Sequence, residues 1–353
     1  MNNHPRHIAV YGAGAVGTYF GSWLSEAGFR TTLLGRGWLK EGERDVRAQR
    51  HDGASATLRR GGRVVLAASE LRPCDICFVT VKSRDTLTAG RTLRNVLRPG
   101  AHVVSLQNGR NNAAILREAL GPEFHVSAAV VGFNVRQVRP LHFVETVPGA
   151  LYLSSTPPEL RELATVLETT GFSVRTHEEI DRVVDGKLLL NTNNGVSAAT
   201  GSSVAELMRD RDARWLFAQC LKEGVAVLEA MGCEPAKVAT MGPLGLAKFL
   251  QLPDLIVRPL LRFGNIDEDA MTSTLDDLLR GRATEIGELN GELVARGRSV
   301  GVATPVNAAL TDIVRALEIE AKSGHPIRFI PASTLREQCA AQSRRRMRSL
   351  GRS

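Results

Sequence analysis

One junction near the amino end constrains the fold more than any other feature. The β-branched and aromatic run His7-Ile-Ala-Val-Tyr11 passes directly into Gly12-Ala13-Gly14-Ala15-Val16-Gly17, and a helical pattern opens from the same turn over 15–27. A G-x-G-x-x-G carries weight only between a strand and a helix, which is where this one stands. Gly12 permits the tight turn, Gly14 lets the main chain approach a pyrophosphate, and Gly17 lets the helix press on the strand. The turn from Gly12 to Gly17, Ala13, Ala15 and Val16 included, is therefore expected to hold a dinucleotide phosphate on the amides and positive pole of that helix.

The pattern around the junction supports an α/β domain. Strands are expected at 31–34, 75–81 and 102–106, with helices at 86–97 and 111–119 between and after them. Strands separated by helical crossovers pair in parallel and take helices on both faces. Further β-rich segments follow at 125–136, 141–153 and 172–176. Beyond about 180 the periodicity becomes helical almost throughout, at 181–200, 203–207, 211–231, 235–241, 244–250, 273–299 and 305–322. The expected architecture is an N-terminal Rossmann-type doubly wound parallel sheet over 1–178, an all-helical substrate domain over 179–330, and a basic tail over 331–353 that is frayed or disordered. Two cores agree with 353 residues, since single cores stop growing near about 250–300.

Strand ends then suggest the choice of dinucleotide. No acid lies between Glu26 and Glu41, where an NAD-selective chain would place a carboxylate for the ribose hydroxyls. Arg36, nineteen residues past Gly17, is instead placed to pair with a 2′-phosphate, which favours NADP(H). The bland alternative is a solvated arginine. Lys82, at the end of one strand, is assigned to the adenosine phosphates or to solvent. Asn108, in Ser105-Leu-Gln-Asn-Gly109 at the end of the next, is assigned to the nicotinamide or the substrate.

Composition narrows the partners. The formal charge is +8, but Arg344, Arg345, Arg346, Arg348 and Arg352 crowd the last ten positions, and without them it is +3. With aromatics at 5%, stacking platforms for nucleic acid are not expected, and an enzyme handling anions is the better class. Five scattered cysteines argue for a reducing compartment rather than a disulfide framework. Cys74 and Cys77 spell C-x-x-C, but strand alternation would send them to opposite faces and no second pair completes a metal site, so packing is expected and no metal. No apolar run reaches the eighteen or so residues of a membrane span, and 252–263, interrupted by Asp, two Arg and two Pro, is expected to be an amphipathic surface or inter-helix segment. A cytoplasmic location is expected.

The helical half holds two further constellations. Lys187, Asn191 and Asn194 fall at i, i+4 and i+7, one stripe presenting an ammonium and two amides. Asparagine is a poor helix former, and its cost is easier to understand if a ligand benefits. Ser273 could bind substrate or cap a helix running to about 299, with Asp276 completing a capping box. Glu285, about 18 Å farther along that helix by its rise, could act in chemistry or pair with Arg282.

Taken together, the glycine turn, S-L-Q-N-G, G-K-L-x-x-N, S-x-x-x-D and R-x-T-E-I-x-x-x-N-G resemble the ketopantoate (2-dehydropantoate) reductase family over about 7–322. The resemblance implies a Rossmann domain carrying NADPH and a helical domain closing over it. It further implies Lys187 as general acid toward the carbonyl oxygen, Glu285 at the reacting end, and Asn108, Asn191 and Ser273 on the substrate. The partner would be a small 2-oxo acid, with neither nucleic acid nor membrane, and a homodimer is allowed. Where the family commonly has a second Asn eight residues after the lysine, this chain has Gly195, preceded by Asn193 and Asn194. Another 2-oxo acid or ketone is thus the alternative substrate, and a non-catalytic nucleotide sensor the alternative class.

Overall fold

The computed structural model describes residues 6–35, 39–58, 61–71, 74–238, 241–263 and 270–350. The chain forms two compact units, Met1–Val184 and Asp185–Ser353.

The first unit is built on an eight-stranded sheet. Its central strand β1 (His7–Tyr11) feeds α1 (Ala15–Glu26) and then β2 (Arg30–Leu34). Three short strands follow, β3 (Arg47–Gln49), β4 (Ser55–Thr57) and β5 (Gly62–Val65). The alternation continues as β6 (Ile76–Val79), α2 (Thr86–Val96), β7 (His102–Ser105) and α3 (Asn112–Leu120). It ends with β8 (His125–Val131), β9 (Asn134–Arg139), β10 (His142–Val147), β11 (Leu151–Ser154), α4 (Pro158–Glu168) and β12 (Val174–His177). The strand order is β12-β11-β8-β7-β6-β1-β2-β5, parallel except where β11 meets β8. Strands added after β1 run outward one way as β2 and β5, and the other way from β6, so the order reverses beside β1. A doubly wound sheet binds ligands at such a point, outside the carboxyl ends of its strands.

Both faces of this sheet are buried. On one side α1 and α4 bring Phe20, Trp23, Leu160 and Leu163 into an apolar cluster where Phe20 meets Phe78 edge to face at 4.9 Å. On the other, Ala89 and Leu93 of α2 and Leu116 and Leu120 of α3 cover Val79 and Val103. A second sheet, β4-β3-β10-β9, packs through Ala48, Ala56 and Phe143 into the α1 side. Strands β3 to β5 and helix α4 have no counterpart in the sequence expectations. The three-residue strands are too short and too polar for an alternation signal.

Cys74 and Cys77 depart from the expected geometry. The strand begins only at Ile76, so Cys74 precedes it and alternation does not separate the pair. Both are buried free thiols in one apolar cluster, and the hydrogen bond that the Cys77 thiol makes with Cys74, with burial, pushes that thiol up.

The second unit is helical: α5 (Ile180–Leu190, entering from the first unit), α6 (Asn193–Thr200), α7 (Val204–Arg209), α8 (Arg211–Ala230) and α9 (Pro243–Leu250). They are followed by α10 (Asp254–Phe263), α11 (Ser273–Leu279), α12 (Asn290–Ser299), α13 (Pro305–Lys322) and α14 (Ala332–Leu350). Several expectations are corrected. The single helix expected over 181–200 is broken at Asn191 and Thr192, and the one expected over 273–299 ends at Leu279, where Gly281 takes φ 63°. No helix occupies 233–238; Gly186 accounts for this, because a Cβ there would strike the Ala236 carbonyl and come 2.9 Å from Val238. That segment must stay extended to cross α5. The segment at 252–263 does lie at the surface, mostly as helix α10 with Leu255 and Leu260 exposed, and the fully buried Arg214 ties its start through Asp254 at 2.5 Å. The tail expected to fray is helical to Leu350, because Leu335 and Cys339, one turn apart, enter the core. Among the described residues no helix is long and apolar enough to cross a membrane.

Candidate active site

Between the carboxyl end of β1 and the start of α1 the backbone turns over Gly12–Gly14, and each glycine of the motif has a distinct reason to be there. Gly12 has φ 115°, and a Cβ on it would lie 2.8 Å from Val81 Cγ1. Gly17 is pressed to the strand: a Cβ would strike the Gly12 carbonyl and come 3.2 Å from Val10 Cγ1. Gly14 is different, because nothing of the protein lies within 4 Å of where its Cβ would be. An exposed glycine in extended backbone that no neighbour requires is the one a close-approaching ligand would require. The first turn of α1 carries no acidic side chain, and its amides from Ala15 to Gly17 have no preceding helical carbonyl. The residues present thus fit a pyrophosphate.

The neighbouring strand β6 is clamped to this turn, with Thr80 N donating to the Tyr11 carbonyl at 3.0 Å and Thr80 Oγ1 to the Gly12 carbonyl. Lys82 follows, half-buried. Beyond it a polar lattice joins the ends of β6 and β7. Gln107 Nε2 donates to the Val81 carbonyl at 3.0 Å and to Thr86 Oγ1 at 2.7 Å. Ser83 Oγ donates to the Asn108 carbonyl at 3.0 Å, and Asn112 Nδ2 donates to the same oxygen at 2.5 Å. Gly109, at φ 91°, completes the turn. Lys82 and Asn108 are therefore held on one edge with the glycine turn, by Ser83, Gln107 and Asn112, which the sequence expectations left out. Polar residues clustered at two adjacent strand ends were the signal for them. Arg36 lies outside the described residues.

In the second unit Lys187 sits half-buried near the end of α5, and burial lowers its ammonium to about 8. Among the described residues no hydrogen bond or ion pair engages its ammonium, and burial alone accounts for the lowered value. Asn191 is one turn on, its N–H donating to the Lys187 carbonyl at 2.9 Å. There α5 stops: Thr192 Oγ1 donates back to the Leu189 carbonyl at 2.7 Å, and the next amides bond three residues back rather than four. The expected single stripe is therefore interrupted before Asn194. Asn194 meets α11 instead, Nδ2 donating to Ser273 Oγ at 3.3 Å, so two expected substrate residues are brought together.

Ser273 is not the cap of its helix. Thr272 is, its Oγ1 accepting from Leu275 N at 3.3 Å, and Asp276 binds Arg280 at 2.9 Å rather than closing a capping box. Glu285 is buried, on a turn leading to a short 3₁₀ segment, not on a helix with Ser273. Burial and the Glu285 charge push the neighbouring Glu288 carboxyl up. Gly195 is buried against α12, where a Cβ would come 2.8 Å from Asn290 Oδ1.

A cavity of about 740 Å³ opens elsewhere, at the amino ends of β7 and β8. Its charged lining is mixed, Arg6 and Arg98 against Asp75 and Glu159, and it includes no expected site residue.

A doubly wound sheet with a pyrophosphate-fitting turn at its reversal point, followed by a helical unit bearing a desolvated lysine, defines a dinucleotide-dependent oxidoreductase. Comparison with known proteins gives the family. The model of Ketopantoate reductase PanE/ApbA matches residues 8–158, and that of the Ketopantoate reductase PanE/ApbA C terminal matches 160–318. The chain belongs to the ketopantoate reductase family. A 2-dehydropantoate 2-reductase of Archaeoglobus fulgidus is 27% identical over 323 residues, covering 89% of this chain and 98% of that protein. The crystal structure of a PanE/ApbA family ketopantoate reductase from Ralstonia eutropha JMP134 is 28% identical, with TM-score 0.74, over 90% of this chain and 99% of that one. The fold is also shared with a D-mandelate dehydrogenase solved with NADH and anilino(oxo)acetate, at 19% identity and TM-score 0.70, over 89% and 99% of the two chains.

Proposed function

We propose that the chain reduces 2-dehydropantoate to pantoate with NADPH, a step of pantothenate and coenzyme A biosynthesis in the cytoplasm. The observation that carries this is Lys187, a desolvated ammonium with its pKa lowered to about 8, one turn from Asn191. A general acid works best when its pKa lies near the working pH. When bound, the dinucleotide supplies hydride to the carbonyl carbon. As charge builds on the carbonyl oxygen, the Lys187 ammonium stabilises it and delivers a proton from Nζ. Ser273 Oγ, accepting from Asn194, keeps its own proton to donate to the substrate carboxylate, while Asn191 and Asn108 orient the remaining polar groups. Glu285 acts at the reacting end.

Gly12, Ala13, Gly14, Ala15, Val16 and Gly17 hold the pyrophosphate. Arg36 and Lys82 hold the adenosine end, and the lack of an acid between Glu26 and Glu41 supports NADPH over NADH. One observation favours a second substrate, another 2-oxo acid: position 195 offers no side chain and is packed under Asn290.

The test follows NADPH oxidation at 340 nm against a panel of 2-oxo acids that includes ketopantoate, with Lys187→Ala alongside. Turnover is expected with ketopantoate, and Lys187→Ala should lose about a hundredfold or more in kcat. Wild-type turnover in the variant would remove Lys187 from the mechanism. No turnover of any 2-oxo acid would remove the function.

A further inference from the structure

Chains of buried amides have a direction, because an NH₂ group can only donate and its oxygen only accept. One such chain crosses the helical unit. It starts at Glu223 on α8, whose carboxylate accepts from Val306 N at 2.8 Å, Asn307 N at 3.0 Å and Asn307 Nδ2 at 2.8 Å. Asn307 Nδ2 also donates to the Cys220 carbonyl at 3.3 Å. With its NH₂ committed to acceptors, Asn307 must turn Oδ1 the other way, where Asn290 Nδ2 donates to it at 3.0 Å. Asn290 therefore presents NH₂, and it also donates to the backbone carbonyl of Thr192 at 3.2 Å.

The far side of Asn290 is left unsatisfied. Its side chain is wholly buried, and Oδ1 has no partner and rests against Gly195. An unpaired buried amide oxygen is costly. Flipping the amide would not relieve it, since the oxygen would then face the Thr192 carbonyl and Asn307 Oδ1, both acceptors. The cost is kept where the NH₂ holds one particular carbonyl, and that carbonyl belongs to the break between α5 and α6.

We infer that Asn290 is a positioning residue for the reaction. By holding the Thr192 carbonyl it fixes the break that separates Asn191 from Asn194 and so sets where their amides point, while Glu223 and Asn307 fix which way the Asn290 amide faces. Gly195 is the matching surface, because any side chain there would displace that amide. The inference rests on the substrate roles proposed above for Asn191 and Asn194.

Asn290→Leu, similar in volume and unable to donate, tests it, with Gly195→Ala pushing the same amide from the opposite side. In both variants the KM for the 2-oxo acid should rise about tenfold, the scale of one lost hydrogen bond, with NADPH affinity within twofold of wild type. Hydrogen exchange at the Asn194 and Gly195 amides should accelerate by about the same factor in Asn290→Leu, which depends on no activity. An unchanged helical circular dichroism spectrum shows that the variants keep the helical unit folded. An unchanged 2-oxo acid KM in both variants, or unchanged exchange at 194 and 195 with a lowered melting temperature, would overturn the inference and leave Asn290 a packing residue. If the wild-type chain turns over no 2-oxo acid, the proposed function fails, and accelerated or unchanged exchange still decides whether Asn290 holds the break.

Discussion

The lysine at position 187 should make the protein less stable at neutral pH than it would be without a charge there. In the unfolded chain its ammonium titrates near 10.5, and in the folded chain burial lowers it to about 8. Between those values the unfolded state binds the proton and the folded state does not, so stability from this group rises with pH across that window. A shift of about 2.5 units corresponds to about 3 kcal/mol, present as a penalty below pH 8 and gone above 10.5. By the same linkage the penalty is about 3 kcal/mol at pH 7 and about 1.4 kcal/mol at pH 9.5.

Lys187→Met keeps the length of the stem and removes the titration. Urea unfolding followed by circular dichroism, which the helical unit dominates, should find Lys187→Met more stable than wild type at pH 7. Its advantage should shrink by about half or more at pH 9.5, with the other titrating groups cancelling in the difference. The same pKa fixes the activity profile. If Lys187 supplies the proton, kcat/KM for the 2-oxo acid should fall about tenfold per pH unit above about 8. An advantage that is the same at both pH values would refute the desolvated ammonium, and a rate that stays flat to pH 10 would refute its use as an acid.

Two other positions give separable outcomes. Gly14→Ala should leave stability within about 0.5 kcal/mol of wild type, since nothing in the protein opposes a Cβ there, yet weaken dinucleotide binding about tenfold in a fluorescence titration. Gly17→Ala should lower both stability and binding, because its Cβ strikes the Gly12 carbonyl, and equal effects from the two variants would count against a ligand at Gly14. His102 is held neutral to about pH 4 by burial and by His125, with Glu159 opposing, so stability should fall by up to about 3 kcal/mol as pH drops from 6.5 to 4. His102→Gln should flatten that limb of an acid-unfolding curve, and an unchanged slope would show that His102 takes up its proton without unfolding.

The sequence was most legible where backbone geometry leaves one solution. The strand, the glycine turn and α1 stand where His7–Gly17 put them, because positive φ at Gly12 and close contact at Gly17 each exclude other residues. The helical half was less legible because its 3.6-residue periodicity runs through positions where the backbone actually breaks. At Thr192 the cause is a hydroxyl that bonds back to Leu189, an option every threonine in a helix has and few signal. The end of α11 was missed by the expectation of one helix over 273–299, although Gly281, left-handed just past it as a glycine after a helix commonly is, was the available signal. In the tail, a dense run of arginines masked Leu335 and Cys339, whose spacing of four is the only apolar stripe a docked helix there needs.

These breaks bear directly on chemistry. An unbroken helix would set Lys187 and Asn194 on one stripe, seven residues apart, each facing the same way. The tightened turn at 192–195 instead carries Asn194 to Ser273, so a donor and a hydroxyl converge from two helices while Lys187 stays in its own desolvated setting. An acid must keep a low pKa and a carboxylate clamp must offer several donors, and one continuous face would crowd a cation into the clamp and raise the pKa of the acid once an anion arrived. Breaking the helix separates the two environments within eight residues. Under the roles proposed above, this is what the poor helix formers at 191–194 serve, and the Asn290 amide takes part in it by holding the Thr192 carbonyl at the break.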